Sequence, residues 1–454
     1  MSELPKGWIE TTLGNVAKWS SGGTPSRKNT AYYNGDVPWV KTGDLGVRYL
    51  EEASESISNE GLKNSSAKLF PKNSVAIAMY GATIGKTSIL NIEAATNQAC
   101  GVAIPNASLS SIFLYYLLKN EKEGFIARGK GGAQPNISQT IIKEYSIWLP
   151  PLNEQIRITN KLDSILAKVD KAQARLDKIP AILKRFRQSV LAAATSGELT
   201  KEWRAIKEID FEEWTKTKLS EVATSLDPNP SHRYPKSANS GVPILSTQQF
   251  VGESGWTTDK AKLVNREFYE ERKEKTGFFE NDIIFARKGR LGLARFAPTN
   301  MEFVFSHTVF IVRVSEKVQS NYLLWYLRDE QSLEWLVKEM NSNTGVPTLG
   351  KGVFEKLPIN LPCEEEQSEI VSRIERLFSR ANKIEKQYLD AKARLDRLTQ
   401  SILAKAFRGE LVPQDPNDEP AEQLLERILK EREQVAPKKT TRKRTTKAKT
   451  AEKG

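Results

Sequence analysis

LPPLNEQIRITNKLDSILAKVDKAQARLDKIPAILKRFRQSVLAAATSGEL, residues 149–199, is answered 212 residues later, without a gap, by LPCEEEQSEIVSRIERLFSRANKIEKQYLDAKARLDRLTQSILAKAFRGEL, residues 361–411. Both copies open on Leu-Pro, keep Glu-Gln at 154/155 and 366/367, and close on Gly-Glu-Leu. Alternate steps of four and three residues meet only apolar side chains from Ile158 to Val190, and the same from Ile370 to Ile402 with Tyr388 included. That period makes a helix bury one stripe against a partner helix. Since the other copy is the nearest partner, an intramolecular antiparallel coiled coil is expected. Two amphipathic helices packed on separate domains are the alternative, and the matched register and equal length count against it. Pro180 removes one helical hydrogen bond, so the first helix should kink there or begin anew.

Working outward, the repeat continues with an offset that drifts as loops lengthen. Trp8, Leu13 and Val16 match Trp214, Leu219 and Val222; Val37-Pro38 matches Val242-Pro243; Tyr116-Leu117 matches Tyr326-Leu327; and Gln134-Pro135 matches Val346-Pro347. The chain therefore reads as module, helix, module, helix. Its segments are a first module 1–150, a central helical spacer 151–204, a second module 205–362, a second spacer 363–411, a short helix 412–434 and a basic tail 435–454. Within the modules, DVPWVKTGDL, NSVAIAMYG and QACGVAIP read as strands between Gly, Pro and Asn punctuation, and SSIFLYYLLKNE as a helix. VPILSTQQF, NDIIFARKG, HTVFIVRV and SNYLLWYLRDE hold the matching places. The fold class is α+β, with mostly antiparallel or mixed sheets. In the short helix, Leu424, Leu425, Ile428 and Leu429 share a face and Asp418 is placed to cap.

The 454 residues carry 68 Lys and Arg against 56 acids, a formal charge of +12 that favours a polyanionic partner. Eight bases and one acid lie in 437–454, however, so the body retains only +5. Two cysteines, Cys100 and Cys363, allow no disulfide framework and no thiolate zinc site. No apolar run approaches a membrane span and the first residues do not resemble a signal peptide, so a cytoplasmic protein with no membrane partner is expected.

An enzyme is the first function class to weigh. GATIGKT, 81–87, approaches a phosphate-binding loop, but the pattern would need Gly where Tyr80 stands. A strand followed by a tight turn is the plainer reading. The Gly-rich turn and Asn/Asp-Pro-Pro-aromatic motif of an adenine methyltransferase are both missing, and Asp227-Pro228-Asn229-Pro230 reads only as a turn. The two histidines, His232 and His307, give imidazole catalysis little material and read as surface or turn residues, though His307 could meet a phosphate or base. No catalytic and no metal-ligating residues are expected.

LPPLNEQ and LPCEEEQ at the module ends, KIPAILKRFRQSVLAAATSGELTKEWR in the middle, AKAFRGELVPQDPNDEPAEQLLERI near the end and GWIETTLGNVA at the start together resemble the specificity subunits of type I restriction-modification enzymes. The resemblance covers everything but the basic tail. It implies two target recognition domains in pseudo-symmetric arrangement, separated by two long helices that form the coiled coil. It also implies a bacterial or archaeal, non-catalytic chain that binds double-stranded DNA at an asymmetric two-part target, with a gap set by the helices. The implied partners are two modification (methyltransferase) subunits, docked on the helices' outer faces, and restriction subunits. S-adenosylmethionine, ATP and magnesium would belong to those partners, and no cofactor to this chain.

Sequence-specific binding needs turns that project amide, guanidinium and ammonium groups from a rigid sheet. The modules offer them at matching places. Lys41 and Thr42 face Thr247, Gln248 and Gln249; Lys86 faces Arg287, Lys288 and Arg290; Asn97 and Gln98 face Ser306 and His307; and Arg128, Lys130, Gln134 and Asn136 face Asn341, Asn343 and Thr344. Unlike side chains at like positions would read unlike sequences. The seam from Ile158 to Val190 would span roughly 48 Å, about 14 base pairs, leaving unread sequence between two half-sites. The rival reading is a protein-binding scaffold whose tail alone touches DNA.

Overall fold

The computed structural model describes residues 4–105, 109–129, 136–211, 214–237, 239–277, 279–340 and 348–435. The first spacer helix runs Leu152–Leu176, and a second begins at Ile179–Thr195 with Pro180 in its first turn. Proline is tolerated there because the first N–H groups of a helix have no internal acceptor. The matching position in the second copy is Lys392, and that copy continues unbroken over Glu364–Phe407.

By contacts the chain divides into two units, Met1–Ala174 with Ala391–Gly454, and Arg175–Asp390. Both spacers contribute to both units, because each module buries a stretch of each. In the first unit Ile158, Leu162 and Leu166 share a core with Ile402, Leu403 and Phe407, and Phe113 of the module meets Phe407 edge-on at 5.4 Å. The second unit joins Val190, Leu191 and Ala194 to Ile370, Ile374 and Phe378. The early part of one spacer meets the late part of the other, so the two run antiparallel. Some seam positions between the buried ends are less covered than the heptads suggest, with Ile384 and Leu398 each 47% exposed.

Within the first module a five-stranded sheet takes the order Ala17–Ser21, Cys100–Pro105, Val75–Ala78, Thr87–Leu90, Tyr49–Leu50, and a four-stranded one the order Glu55–Ile57, Tyr33–Val40, Ala94–Thr96, Leu69–Phe70. The second module repeats the plan in fewer strands: Ala223–Leu226, Val309–Val314, Ile283–Ala286, Ala294–Phe296 beside Leu263–Val264, Val242–Leu245, Val304–Phe305. Pairing is mostly antiparallel, as the short, turn-punctuated runs suggest. GATIGKT lies between two antiparallel strands, with Gly81 and Gly85 at positive φ, so no helix follows that could receive a phosphate.

Each module is closed by its own ends and locked to the spacer that follows. Ile9–Thr12 pairs with Ser146–Leu149, and Thr215–Lys218 with Pro358–Leu361. At the lock, the Trp8 indole donates to Glu154 at 3.0 Å and the Trp214 indole to Glu366 at 2.7 Å. Both carboxylates are buried. Beside each, a glutamine amide, Gln155 or Gln367, donates to the carbonyl of Pro150 or Pro362. This accounts for the repeated Glu-Gln.

The two locks differ in charge. Glu366 also accepts from Thr200 at 2.6 Å and pairs with the buried Arg204. Glu154 has only the indole, and its second oxygen is buried without a partner. Burial pushes the Glu154 carboxyl above the usual range, which the Trp8 N–H and Arg157 only partly oppose. Arg157 is itself held by Asp418 at 2.6 Å, so Asp418 ties the terminal helix Ala421–Val435 to the spacer instead of capping it. Leu424 and Ile428 of that helix are buried in the first unit's core, while Leu429 is exposed.

A raised carboxyl favours the fold below its ordinary pKa, and that contribution is lost as pH rises through the raised value. At neutral pH, Glu154→Gln should therefore be neutral or stabilising by up to about 1 kcal/mol. Glu366→Gln strands a buried guanidinium and should cost about 3–5 kcal/mol. Urea denaturation of the two variants at pH 7.5 checks the difference.

Candidate nucleic-acid interface

In a largely antiparallel fold, the two modules share a matching parallel pair that sends two chains out at the same edge; the first module has a further one, Tyr49–Leu50 beside Thr87–Leu90. Tyr33–Val40 lies beside Ala94–Thr96, with Val40 opposite Thr96, and Val242–Leu245 lies beside Val304–Phe305, with Leu245 opposite Phe305. The residues that follow are the candidate turns. Asn97 N–H donates to Val40 O at 3.0 Å, and Ser306 N–H to Leu245 O at 2.9 Å. The third and fourth turns join by matching bonds: Met79 N–H to Ala99 O and Ile137 N–H to Met79 O, against Arg287 N–H to Thr308 O and Leu349 N–H to Arg287 O. Isolated bridges, Tyr80 with Asn136 and Lys288 with Thr348, complete the frame. Three turns distant in sequence, and the residues that follow a fourth, Asn136-Ile137 and Thr348-Leu349, thus meet at one edge, twice, on the same backbone plan.

The side chains on the two frames differ. In the first module Lys41 is half-buried and bonded to Glu55 at 2.7 Å, where Arg27 joins it at 2.7 Å. These two bonds hold the Glu55 carboxyl below its usual range, Lys41 contributing most. Thr42 is half-buried, Lys86 and Gln98 are exposed, and Gln98 accepts from Thr24. Asn97 is half-buried with its side-chain oxygen unpartnered. Asn136 is exposed on its bridge to Tyr80, and Arg128 lies over the Tyr145 ring at 4.3 Å. Lys130 and Gln134, like Asn341, Asn343, Thr344 and the basic tail, lie outside the described residues.

In the second module several candidates are buried or bonded within the module. Gln249 is buried and closes a capping box with Ser246 over the short helical turn Thr247–Gln249. Thr247 and Ser306 are buried too; Thr247 donates to Lys288 O at 3.5 Å, and Ser306 shares a hydroxyl bond with Thr308 at 2.6 Å. Arg287 binds Asp227 at 2.7 Å and Leu349 O at 3.1 Å over the Phe310 ring, so the Asp-Pro-Asn-Pro turn supplies its counter-charge. Arg290 is exposed, yet its guanidinium bonds the carbonyls of Phe250 and Thr247 at 3.0 and 3.3 Å. A cation spent on backbone carbonyls holds turns together before it meets a ligand. Lys288 is half-buried beside it, and Gln248 is exposed.

The two histidines are surface and turn residues as expected, His232 exposed and His307 in a turn, but they are not isolated from each other. His232, in the left-handed region at φ +55°, stacks its ring on His307 at 4.3 Å. Tyr234 bonds the His307 ring at 2.9 Å. Burial lowers the His307 pKa first, with His232, Lys288 and Arg287 adding to that and Asp227 opposing it, so the imidazole is neutral at physiological pH. Gln248 and His307 line one cleft of about 570 Å³ with Tyr234, Ser246, Lys260 and Lys262. Sequence reasoning missed Tyr234 and the two lysines. Lys262 precedes the strand Leu263–Val264 that pairs with Val242–Leu245, and nothing in TTDKAK announces that pairing.

An amide, a neutral imidazole and two ammonium groups around one cleft suit hydrogen bonding to base edges with phosphates nearby. Among the described residues no three His, Cys, Asp or Glu side chains are grouped to hold a metal ion, and no helix is long and apolar enough to cross a membrane.

The family described as "Type I restriction modification DNA specificity domain" matches the chain twice, over residues 5–181 and 211–391. The specificity subunit of the type I restriction enzyme EcoDI from Escherichia coli is 31% identical, covering 97% of this chain and 99% of its own length. That of StySPI from Salmonella potsdam is 30% identical with the same coverage. Among solved structures, a chain from a study of complex assembly and conformational transition of the type I R-M system matches at a TM-score of 0.66, with 20% identity over 90% of this chain and all of the other. The HsdS subunit from Thermoanaerobacter tengcongensis gives a TM-score of 0.51 at 20% identity, covering 90% of this chain and 98% of that subunit.

The opposed fates of adjacent glutamines are testable. Gln249→Ala removes the reciprocal half of the capping box, leaving the Ser246 N–H without its acceptor, and should cost about 1–2 kcal/mol. Gln248→Ala should stay within about 0.5 kcal/mol of the parent. Denaturant midpoints measured at constant slope separate them.

Proposed function

Because the chain belongs to the type I restriction-modification DNA specificity family, we propose that it reads a two-part, asymmetric DNA target, one part at each module. It is a sequence-recognition subunit of such an enzyme and not its catalytic part. The observation that carries the two-part reading is the duplicated frame of turns on a parallel strand pair, clothed in unlike side chains. One backbone plan used twice supplies two readers. Different residues at the matching turns, Lys41 and Thr42 against Gln248 and its neighbours and Gln98 against His307, give them different preferences, and the length of the spacer helices sets the unread gap between the two parts.

In this reading the outer faces of the spacers dock two modification subunits, and restriction subunits join the assembly. Lys184, Arg185, Glu375 and Arg376 are exposed and free to serve, whereas Arg187 pairs with Glu385 and Arg373 with Glu369 inside their unit. S-adenosylmethionine would be bound by the modification subunits, ATP and magnesium by the restriction subunits. This chain contributes the choice of site.

Co-expression with the cognate modification subunit, followed by sequencing of methylated adenines in genomic DNA, tests the proposal. A single bipartite motif is expected, and exchanging residues 1–150 for another module should change one half of it alone. Methylation without a two-part motif, or a motif indifferent to the exchange, would refute it in favour of a scaffold.

A further inference from the structure

The Tyr234 hydroxyl makes two bonds to one residue: it accepts from the His307 backbone N–H at 2.9 Å and lies 2.9 Å from His307 Nδ1. A hydroxyl carries one proton, and a phenol donates more readily than it accepts a second time. With its oxygen engaged by the backbone N–H, its proton goes to Nδ1, which must then be bare. The ring is neutral, because burial and the stacked His232, with Lys288 and Arg287 nearby, all oppose a charge. A neutral imidazole with bare Nδ1 carries its proton on Nε2. Stacking against His232 holds the plane of the ring, and the edge left free of Tyr234 is the Nε2 edge of a residue that lines the cleft with Gln248, Lys260 and Lys262. The cleft therefore presents one directional N–H donor that cannot turn into an acceptor without reversing the tyrosine bond.

We infer that His307 is a specificity-determining residue of the second module, donating from Nε2 to an acceptor on a base edge, and that Tyr234 is the positioning residue that fixes its tautomer. This rests on the DNA-recognition reading above. In the major groove the acceptors are purine N7, guanine O6 and thymine O4, while cytosine offers only its amino donor. The position read by His307 should accordingly admit a purine or thymine and reject cytosine.

The experiment uses the specificity chain in complex with its modification subunit, and duplexes carrying the motif found by methylation mapping. Each base of the second-module half-site is replaced in turn by an analogue lacking one acceptor: 7-deazapurines for N7, 2-aminopurine or 6-thioguanine for guanine O6, and 4-thiothymine for O4. One replacement should weaken parent binding about 10-fold, the value of one lost directional hydrogen bond. His307→Phe keeps a ring for His232 to stack on but has no donor; it should bind about 10-fold more weakly and no longer sense that replacement. His307→Gln, whose amide nitrogen stands near the Nε2 position, should keep the sensitivity, and His307→Asn, whose nitrogen stands near Nδ1, should lose it. Tyr234→Phe should reduce discrimination against cytosine at that position by about 10-fold.

If the half-site is recognised but no replacement weakens parent binding, or if His307→Phe and His307→Asn both remain sensitive, the inference is wrong while the recognition reading stands. The first-module half-site is the internal control. Loss of preference there as well in the parent would overturn the recognition reading itself. Should His307→Phe fail to fold, the Asn and Gln variants decide the question alone.

Discussion

An indole N–H pointed at a buried carboxylate, made once at each module–spacer junction, is the bond on which the rest of this architecture depends. A carboxylate taken out of water must be met by donors or it destabilises the fold. Here the donor comes from the first strand region of a module, Trp8 or Trp214, and the acceptor from the first turn of the spacer that follows, Glu154 or Glu366. Start and end of each module are thereby held together, and the strand pairs Ile9–Thr12 with Ser146–Leu149 and Thr215–Lys218 with Pro358–Leu361 extend that closure. With the ends secured, the turns beyond the parallel strand pairs can differ in composition. The second junction is reinforced by Arg204 and Thr200, whereas the first leaves an oxygen unmet, so an ancestral duplication has been tuned unequally.

Much of the fold was legible because it is written in periodicity and repetition. Heptads announce helices, and a matched register announces their pairing; Pro180 announces where one helix must restart. Glu154-Gln155 and Glu366-Gln367 were visible as a repeated signature, but their partners were not, since an indole 146 or 152 residues away is selected by tertiary packing alone. Asp418 shows the limit of local reasoning. A carboxylate ahead of a helix has the composition of a cap, yet Arg157 offers it a bidentate charge-assisted bond, the stronger of the two interactions. Likewise the outermost heptad positions are well buried while Ile384 and Leu398 are not, because hydrophobic pattern says what could be covered and module placement decides what is.

The recognition edge was legible as a set of turns and largely illegible as a set of readers. Sequence alignment of the two halves set Lys41 and Thr42 against Thr247, Gln248 and Gln249, and Asn97 and Gln98 against Ser306 and His307, and the parallel strand pairs show that both sets leave the ends of matching strands. Whether a polar side chain there faces outward depends on whether a neighbouring carbonyl or carboxylate claims it first. Arg287 is claimed by Asp227 and Leu349 O, Gln249 by its own turn, and Lys41 by Glu55. Gln248 is not claimed in this way and stays exposed. Tyr234 and His307, 73 residues apart, illustrate the converse, since no spacing in the chain connects a tyrosine to the imidazole whose proton it governs.

The first unit is assembled from both ends of the chain, whereas the second is one uninterrupted segment, Arg175–Asp390. Leu403, Ala406, Phe407, Leu424 and Ile428 belong to the same core as Trp8, Leu13 and Phe113, and Ala421 N–H donates to Gly7 O. During synthesis on the ribosome the N-terminal module therefore emerges with part of its apolar interior uncovered, and it waits for the second unit to be made before its last pieces arrive. The order of completion is the reverse of the order of translation. Holding that open surface against wrong partners in the meantime falls to the nascent chain and its chaperones, and the stretch from Ala391 onward acts as the closing piece of a domain begun hundreds of residues earlier.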